Sequence, residues 1–436
     1  MAIIKSKKRL PGIHPAYHKH TMDMETAMLP VPATVSIPML QHIGVEAVPV
    51  VKPGERVLVG QKIGDSDAPM CVPVHASVSG TVKQIGNMLT SGGKNVKTVV
   101  IEADGQQELF SAPAPVRADS REAFLQAVRE SGLVGLGGAG FPTHVKLAYK
   151  DTAKVDTLIV NGAECEPYIT SDYRECIEHP SDIADGIKLV MHHLGLTRCI
   201  IGIEKNKPDA IALLSKQTDQ MGGVSVMPLK SLYPQGAEKV LIYCATGKIL
   251  EEGQLPADCG TVVLNVSTVA ELARYFRTGM PLVSRRLTID GDAAGRPGNV
   301  MVPVGTPVRT VLEFCNTDLE RCRELLMGGP MMGIAVADPD TPVVKNNNAI
   351  LAFSRPQVSY SKTTACIRCG KCVRVCPVGL MPAGLERAYD NRNLPMLRKM
   401  KVNLCINCGC CSYVCPAKRD LAAKNQLAKQ IIREKH

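Results

Sequence analysis

Two cysteine runs near the C-terminus share one spacing, and this spacing is the strongest chemical signal in the chain. In each run three cysteines are separated by two residues, and a fourth follows after three more and directly precedes a proline. The eight cysteines are Cys366, Cys369, Cys372, Cys376, Cys405, Cys408, Cys411 and Cys415. Three thiolates at this spacing can surround one iron–sulfur cubane, while the remote fourth cysteine completes the coordination of the other cluster. The sequence therefore predicts two [4Fe-4S] clusters, one held by Cys366, Cys369, Cys372 and Cys415 and the other by Cys405, Cys408, Cys411 and Cys376.

Zinc is the alternative metal that such a set of cysteines could bind. Structural zinc sites use paired C-x2-C knuckles separated by longer loops, and a third cysteine at the same spacing is unusual for them. Cys410 falls outside the spacing, and we interpret it as a bystander. The remaining eight of the seventeen cysteines are scattered singly and are interpreted as buried thiols.

A glycine-rich loop and a pair of carboxylates form the second chemical signal. The stretch Gly135–Lys146 begins with four glycines in six residues, which allow the backbone to approach a ligand and its amides to bind phosphate. Glu164 and Glu166 follow an apolar segment, 155–160, that is predicted to be a strand. They would then lie at the carboxyl end of a parallel sheet, where α/β proteins bind ligands. The alternatives are a structural turn for the loop and helix-capping or solvated roles for the carboxylates.

The elements that must position these residues predict a multidomain α/β protein with four modules. Residues 1–112 alternate β-branched residues with Pro-Gly and glycine turns, which is typical of a lipoyl-like barrel sandwich. The hairpin at 65–70 contains no lysine, so a swinging-arm carrier is excluded. Residues 117–256 alternate strands and helices and predict a Rossmann-like domain. Residues 257–355 predict a small mixed β domain of β-grasp type, and residues 356–436 a helix-rich ferredoxin-type domain.

Capping residues and apolar periodicity predict individual elements within these modules. Ser120 is the expected N-cap of a helix that ends at Glu130, and Ser181 that of a helix that ends at Leu194. Further strands are predicted over 199–203, 224–227, 283–289, 299–303 and 349–353, and further helices over 208–221, 310–314, 383–389 and 421–433. Three histidines (His14, His18 and His20) lie near the basic N-terminus, and a packed N-terminal arm is favoured there over a metal site.

The basic excess of the chain belongs to the cysteine module. Residues 355–436 contain 16 lysines and arginines against four acidic residues, while the net charge of the whole chain is +10. Clusters with four thiolates are anionic, so Arg368, Lys371 and Arg374 would stabilise them. The remaining basic residues would contact an acidic redox partner or a membrane subunit, with a plain solvated surface as the alternative. Scarce aromatic residues and the lack of a recognition motif argue against nucleic acid.

The chain is predicted to have no membrane span and no secretion signal. No run of about 18 apolar residues is present, and the basic N-terminus is not followed by an apolar signal core. Clustered cysteines without a secretion signal are typical of a reducing compartment.

Together these segments resemble a known family. Gly135–Lys146 and Asn161–Pro167 are similar to the FMN- and NADH-binding segments of the flavin-bearing subunit of respiratory complex I. Over nearly its full length the chain resembles the RnfC family, whose members are components of the ion-translocating ferredoxin:NAD oxidoreductase. The other segments that carry this resemblance are Gly12–Pro15, Tyr233–Lys239, Gly328–Gly333 and the paired cysteine runs.

The resemblance implies roles for individual residues. Those implied at the flavin are Gly135, Gly137, Gly138, Gly140, Lys146, Asn161 and Glu164. Those implied on the nicotinamide side are Phe141 and Glu166. A further contact set is implied for Tyr233, Gly236 and Glu238, and a further flavin loop for Asn265 to Thr268. Two positions depart from the complex I pattern, because Ala163 replaces an aspartate and Ala237 replaces a glutamate, and this leaves the detail of nucleotide binding open.

The resemblance also implies an activity and partners. NAD(H) would exchange hydride with FMN, and FMN would exchange single electrons with the clusters, while Glu164 and Glu166 act in catalysis. The implied partners are the other Rnf subunits and ferredoxin, reached directly or through another subunit, at the cytoplasmic side of the cell membrane. Two alternatives stay open. One is a soluble cobalamin reductase of a bacterial microcompartment, and the other is a docking subunit that carries clusters but has lost nucleotide turnover.

Overall fold

A computed structural model describes residues 3–4, 10–152, 154–355 and 362–434. Within these ranges the chain forms two antiparallel sheets, one parallel sheet and one mixed sheet, followed by a helical module at the C-terminal end. The predicted multidomain α/β class is therefore confirmed. None of the described helices is long and apolar enough to pass through a bilayer.

The described residues of the first module form eight strands, of which the last two are the longest. They are β1 (Thr26–Met28), β2 (Thr34–Pro38), β3 (Val48–Pro49), β4 (Arg56–Val57), β5 (Lys62–Asp65), β6 (Val74–His75), β7 (Gly80–Leu89) and β8 (Asn95–Ala103). Two antiparallel sheets, β2-β8-β7-β4 and β3-β5-β6, enclose an apolar core. Val35, Ile37, Ile63, Val99 and Ile101 are fully buried in it, so β-branched side chains from both sheets hold the sandwich together.

The central module is a four-stranded parallel sheet covered by helices. Its strands are β9 (Thr157–Gly162), β10 (Arg198–Glu204), β11 (Val224–Leu229) and β12 (Thr261–Asn265). Its helices are α1 (Arg121–Glu130), α2 (Thr143–Leu147), α3 (Ser171–Glu178), α4 (Pro180–Leu194), α5 (Pro208–Gln217), α6 (Glu238–Thr246) and α7 (Val266–Thr278). The strand order β11-β10-β9-β12 corresponds to 3-2-1-4, the part of a doubly wound fold that includes its reversal of strand order, as the alternation of strands and helices predicts.

One of the two predicted helix caps is confirmed. Ser120 accepts a hydrogen bond from the amide of Ala123 and is the N-cap of α1. The prediction for Ser181 was wrong, because α4 begins at Pro180 and its N-cap is His179. Proline suits the first helical turn, since its missing N–H would have no partner there and its φ is already helical.

Two segments fall outside the modules predicted for them. The central sheet extends past the predicted boundary at residue 257, because β12 pairs in parallel with β9 and α7 packs on α4. In the opposite direction, β1 leaves the sandwich and pairs with a strand of the third module. Sequence composition could not reveal that these two segments belong to neighbouring modules, because the pairing partners of a strand are determined by tertiary contacts.

The third module is a six-stranded mixed sheet with one helix. Its strands after β1 are β13 (Ser284–Asp290), β14 (Gly298–Pro303), β15 (Glu324–Met327), β16 (Ile334–Ala335) and β17 (Ala349–Phe353), and its helix is α8 (Val308–Phe314). The order is β1-β14-β13-β17-β15-β16. Leu287, Ile289, Val302 and Leu312 lie in its core. The strands predicted over 283–289, 299–303 and 349–353 are confirmed within one residue.

The fourth module is helical. Its helices are α9 (Lys371–Arg374), α10 (Pro382–Asp390), α11 (Leu394–Lys399), α12 (Cys410–Tyr413) and α13 (Leu421–Glu434). Leu385, Leu397, Val402 and Ala428 form its core. The two short helices α9 and α12 begin inside the two cysteine runs and pack against each other, so the fold brings the two runs side by side.

Candidate functional site

The candidate site lies at the carboxyl edge of the central sheet. Asn161 at the end of β9 is paired in register with Asn265 at the end of β12. The chain proceeds from β9 to β10 on one side and returns to β12 on the other. Ligands of open α/β sheets bind at such a reversal of strand order, and the predicted flavin residues therefore lie where the fold provides a crevice.

The glycine loop is closed at its base and fastened to α7. Gly135 donates its N–H to the carbonyl of Phe141 at 2.8 Å. The amide of Leu136 donates to Oγ1 of Thr268 at 3.0 Å, and Nη2 of the buried Arg285 donates to the Leu136 carbonyl at 3.3 Å. Loop and helix terminus thus form one rigid edge of the crevice.

Glycine is required at several positions of this loop. A Cβ on Gly137 would lie 3.2 Å from Nδ2 of Asn265, and one on Gly140 would lie 3.2 Å from Nδ2 of Asn346. Gly138 and Gly140 have φ values of 107° and 64°, which L side chains rarely adopt. Asn346 also donates to the Gly138 carbonyl at 2.7 Å. The loop is therefore held close to its neighbours with its backbone exposed to the crevice.

A buried carboxylate that sequence reasoning missed holds the segment from Asn265 to Thr268, the further flavin loop of the sequence prediction. Asp172 accepts hydrogen bonds from Nδ2 of Asn265 and Oγ of Ser267, both at 2.6 Å. Oδ1 of Asn265 caps α7 by accepting from the amides of Ser267 and Thr268. Burial raises the pKa of Asp172. Its position at the N-terminus of α3, facing a capping asparagine 93 residues away, gave no signal in the sequence.

Two pairs of predicted site residues meet beside the central sheet. Nζ of Lys146 lies 2.6 Å from Oε2 of Glu238 and donates to the carbonyl of Val263 at 3.1 Å. Nδ2 of Asn161 donates to the carbonyl of Gly236 at 2.8 Å. The segment around residues 233–239 therefore packs against the end of β9 and is joined to Lys146 of the glycine-loop segment.

Glu164 is engaged in capping α3. One carboxylate oxygen accepts from the amide of Asp172 at 2.6 Å and the other from the amide of Tyr173 at 3.3 Å. Its backbone is in the left-handed region, with φ 47°. Burial raises the pKa of Glu164 to about 7, an effect that the nearby Lys19 ammonium partly offsets. The helix-capping alternative thus describes what this side chain does within the chain.

Glu166 points to a different set of neighbours. Oε1 accepts from the hydroxyl of Tyr233 at 3.4 Å, and Oε2 accepts from the amide of Met331 at 3.0 Å. Burial raises the pKa of Glu166 to about 7. A Cβ on Gly329 would overlap Oε2, so the segment Gly328–Gly333 of the third module packs directly on this carboxylate.

Four of the eight predicted cluster ligands surround one cavity. Cys376 of the first run faces Cys405, Cys408 and Cys411 of the second. All are buried except Cys405, which is half-buried. In the part of the chain that the structure describes, no three His, Cys, Asp or Glu side chains converge on a point suited to one metal ion. A cubane instead places its four ligands at separate corners, and the exchange of Cys376 between runs is the pattern expected for it.

The other four cysteines lie nearer the surface. Cys366 and Cys369 are exposed, while Cys372 and Cys415 are half-buried. The amide of Thr364 donates to the carbonyl of Ala417 at 3.1 Å, which joins the start of the first run to the end of the second.

The buried cysteine set adjoins the carboxylate site. Tyr233, whose hydroxyl reaches Glu166, packs in one apolar cluster with Cys408 and Cys410. Sγ of Cys410 lies 3.9 Å from the carbonyl of Tyr233, so Cys410 is a packing contact between the modules. The crevice and the buried cysteines are therefore separated by little more than one aromatic side chain.

The crevice beside the glycine loop adjoins one of the two cysteine sets. This arrangement defines an electron-transfer protein of the flavin and iron–sulfur class. Three family models match the chain: the Nuo51 FMN-binding domain over residues 128–274, the RnfC barrel sandwich hybrid domain over 8–106, and the 4Fe-4S dicluster domain over 365–418.

Relatives that match most of the chain identify its family more specifically than these three domain models do. The chain is 41% identical over 391 residues to the C subunit of the Na(+)-translocating ferredoxin:NAD(+) oxidoreductase complex of Acetobacterium woodii, spanning 88% of this chain and 87% of the relative. It is 40% identical to the C subunit of the proton-translocating complex of Clostridium ljungdahlii, spanning 86% and 83%. The chain belongs to the RnfC family, the C subunits of ion-translocating ferredoxin:NAD(+) oxidoreductase complexes.

A solved structure shares the fold. An NAD+-reducing [NiFe]-hydrogenase in the air-oxidized state aligns with a TM-score of 0.50 and 20% identity, covering 71% of this chain and 60% of that chain. At this identity the likeness concerns the arrangement of modules.

Proposed function

We propose that the chain is the electron-transfer subunit of a membrane-bound, ion-translocating ferredoxin:NAD oxidoreductase, exchanging hydride with NAD(H) at FMN and single electrons through two [4Fe-4S] clusters. The observation that carries the proposal is the junction at Tyr233, where the nucleotide crevice meets a set of four cysteines, three of them buried. Relatives named as subunits of translocating complexes support this interpretation over a microcompartment cobalamin reductase.

The residues of the crevice divide the binding of FMN and NAD(H) between them. The amides of the glycine loop bind phosphate, and Lys146, held by Glu238, contributes positive charge beside them. Asn161 and Asn265 line the crevice from the ends of two strands, and Phe141 and Glu166 face the nicotinamide nucleotide. Bound FMN supplies the conversion between two-electron and one-electron transfer. The Ala163 and Ala237 positions offer the nucleotide no carboxylate, which leaves Glu166 as the carboxylate that orients the ribose.

The two cysteine sets occupy different places along the electron route. Cys376, Cys405, Cys408 and Cys411 hold the cluster next to the flavin, because they are buried behind Tyr233. The set that begins with the exposed Cys366 and Cys369 holds the outer cluster. Burial excludes water from the inner site, and exposure lets the outer site meet a partner.

An acidic redox protein is the proposed partner of the outer cluster. Ile367 between the two exposed cysteines is 67% exposed. Arg368, Lys371 and Arg374 follow it in the same run, which contains no acidic residue. Basic surfaces of this kind accelerate association with acidic partners. Ferredoxin, directly or through an iron–sulfur subunit, and the other Rnf subunits fit this description, and binding to them would bring the chain to the cytoplasmic face of the cell membrane.

Within the same proposal the third module is a β-grasp-like domain.

Anaerobic purification of the full chain tests the proposal. We expect a yellow-brown protein with one FMN and about eight irons per chain, and NADH should reduce ferricyanide in its presence. Protein with iron but no FMN, and no NADH oxidation after incubation with FMN, would leave only the docking-subunit alternative.

Replacing Gly329 should disturb the carboxylate that it touches. In Gly329→Ala the new Cβ would overlap Oε2 of Glu166, so either the carboxylate or the loop must move. Because displacement by about 1 Å can cost roughly 10²-fold in rate, we expect kcat/KM for NADH to fall by about that factor while FMN stays bound. Gly298→Ala is the matched control, since its Cβ would meet nothing within 4 Å. Equal kcat/KM values in both variants would show that Glu166 is not oriented by this contact.

A further inference from the structure

The loop that carries Glu164 and Glu166 has little regular structure of its own. Residues 163–170 connect β9 to α3 without belonging to either. Two of its residues, Glu164 and Tyr168, have φ values of 47° and 69°. A backbone in this conformation persists only where its surroundings determine it, so the question is which groups hold it.

Lys19 holds this loop from beneath. The residue lies on the segment before the first sandwich strand and is 9% exposed. Its Nζ donates to the carbonyls of Glu164 at 3.0 Å and Glu166 at 2.8 Å, and also to the carbonyl of Ile169. All three ammonium hydrogens are therefore used on backbone carbonyls of a single loop, which is the full donor capacity of a lysine.

A second lysine completes the arrangement. Nζ of Lys207, at the start of α5, donates to the carbonyl of Ala163 at 2.7 Å and lies 3.4 Å from the Glu164 carbonyl and from Oε2 of Glu204. The carbonyls of the loop are thus turned toward two buried ammonium groups. The side chain of Glu166 reaches Tyr233 and Met331 instead, so carbonyls and carboxylate have separate partners.

The segment that bears Lys19 is fastened along its length. Ile13 and Tyr233 exchange two backbone hydrogen bonds at 2.8 and 2.9 Å, and the amide of Tyr168 donates to the Tyr17 carbonyl at 3.2 Å. The ring of His18 stacks on Tyr168 with centroids 4.7 Å apart. This is the packed N-terminal arm that the sequence favoured, and it gives the lysine a fixed base.

We propose that Lys19 is a positioning residue that fixes the peptide orientations of the 163–169 loop and thereby the place of the Glu166 carboxylate in the nucleotide site. The inference deepens the proposed function and rests on it for the role of Glu166. A charged donor makes stronger hydrogen bonds than a neutral one, and three bonds to one loop restrict its peptide planes together. Groups that act on catalytic side chains in this way set how well those side chains are oriented.

The first test uses the chain without FMN or NADH, so it does not depend on the proposed activity. In Lys19→Met we expect amide hydrogen exchange across residues 163–173 to accelerate about tenfold or more, because the loop loses three hydrogen bonds. Lys345→Met is the matched control. Lys345 is fully buried and its Nζ donates to the carbonyls of Pro73 and Gly132, both at 2.7 Å. It should lower thermal stability without changing exchange in the loop.

The second test uses the protein with FMN bound. We expect Lys19→Met to raise KM for NADH about tenfold with a smaller change in kcat, as for loss of binding that is made equally in the ground and transition states, and to shift the flavin midpoint potential. Lys19→Gln keeps two donors without the charge and should give an intermediate exchange rate and KM, and it serves if the methionine variant does not fold. Unchanged loop exchange and KM in a folded Lys19 variant would overturn the proposal. Wild-type protein that lacks NADH oxidation but shows the exchange effect would instead contradict the proposed function alone.

Discussion

Replacing Glu166 by glutamine should lower kcat/KM for NADH roughly 10²-fold or more, the loss typical of removing one oriented polar group from an active site. The carboxylate is half-buried and accepts one hydrogen bond from the Tyr233 hydroxyl and one from the Met331 amide, so under the proposed function it keeps lone pairs for the nucleotide ribose. Glutamine has the same shape but offers one acceptor and adds an NH₂ donor. FMN content and ferricyanide reduction, measured on the anaerobic protein, separate loss of turnover from loss of cofactor.

The pH dependence provides a second readout of the same residue. The ordinary glutamate pKa of 4.5 is raised to about 7 in Glu166, so the acceptor form predominates only above about pH 7. We therefore expect kcat/KM for NADH, which reports the free enzyme, to rise with pH through about 7 and then level off. The Glu166→Gln variant should lack this rise.

Two controls make the result specific. Glu122→Gln changes an exposed glutamate on α1 and should leave all parameters unchanged. Glu164→Gln should keep the rise near pH 7 and mainly lower stability, because Glu164 caps α3 and loss of a cap costs about 1 kcal/mol. A Glu166→Gln protein with wild-type kcat/KM would mean that Glu166 takes no part in nucleotide binding or turnover.

Replacing Cys376 by alanine should remove the cluster of the opposite run. Cys376 lies with Cys405, Cys408 and Cys411, although its own run supplies the other cluster. We expect iron to fall from about eight to about four per chain and electron paramagnetic resonance to retain one reduced cluster. Since the missing cluster is the one behind Tyr233, NADH should no longer reduce the remaining cluster, while flavin-dependent ferricyanide reduction persists.

The chain contains a matched control for this experiment. Cys410 is buried next to the same set and contacts the carbonyl of Tyr233, yet its position falls outside the repeated spacing. Cys410→Ala should therefore keep about eight irons and both resonance signals. Cys415→Ala is the mirror experiment and should remove the outer cluster. If Cys376→Ala instead lost the cluster of Cys366, Cys369 and Cys372, each run would bind its own cluster and the exchange of ligands would be wrong.

The sequence by itself determined the chemistry that depends on local spacing. The cysteine runs, the glycine loop and the Glu164 and Glu166 pair are each contained within about fifteen residues, and their function depends on backbone geometry that neighbouring residues dictate. Secondary-structure elements with strong local signals could also be predicted from the sequence, as the Ser120 cap and the strand over 349–353 show.

Tertiary structure decided which distant groups meet, because such contacts join residues that share no sequence pattern. It placed β12 beside β9, so that Asn265 lies next to Asn161. It also separated Glu164, which caps a helix, from Glu166, which contacts Tyr233 and Met331. It also brought Lys19 beneath a loop 145 residues away. A buried lysine is tolerated there because three backbone carbonyls accept hydrogen bonds from its ammonium group and offset the cost of removing the charge from water. The periodicity and composition of the sequence contain no information about such distant hydrogen bonds.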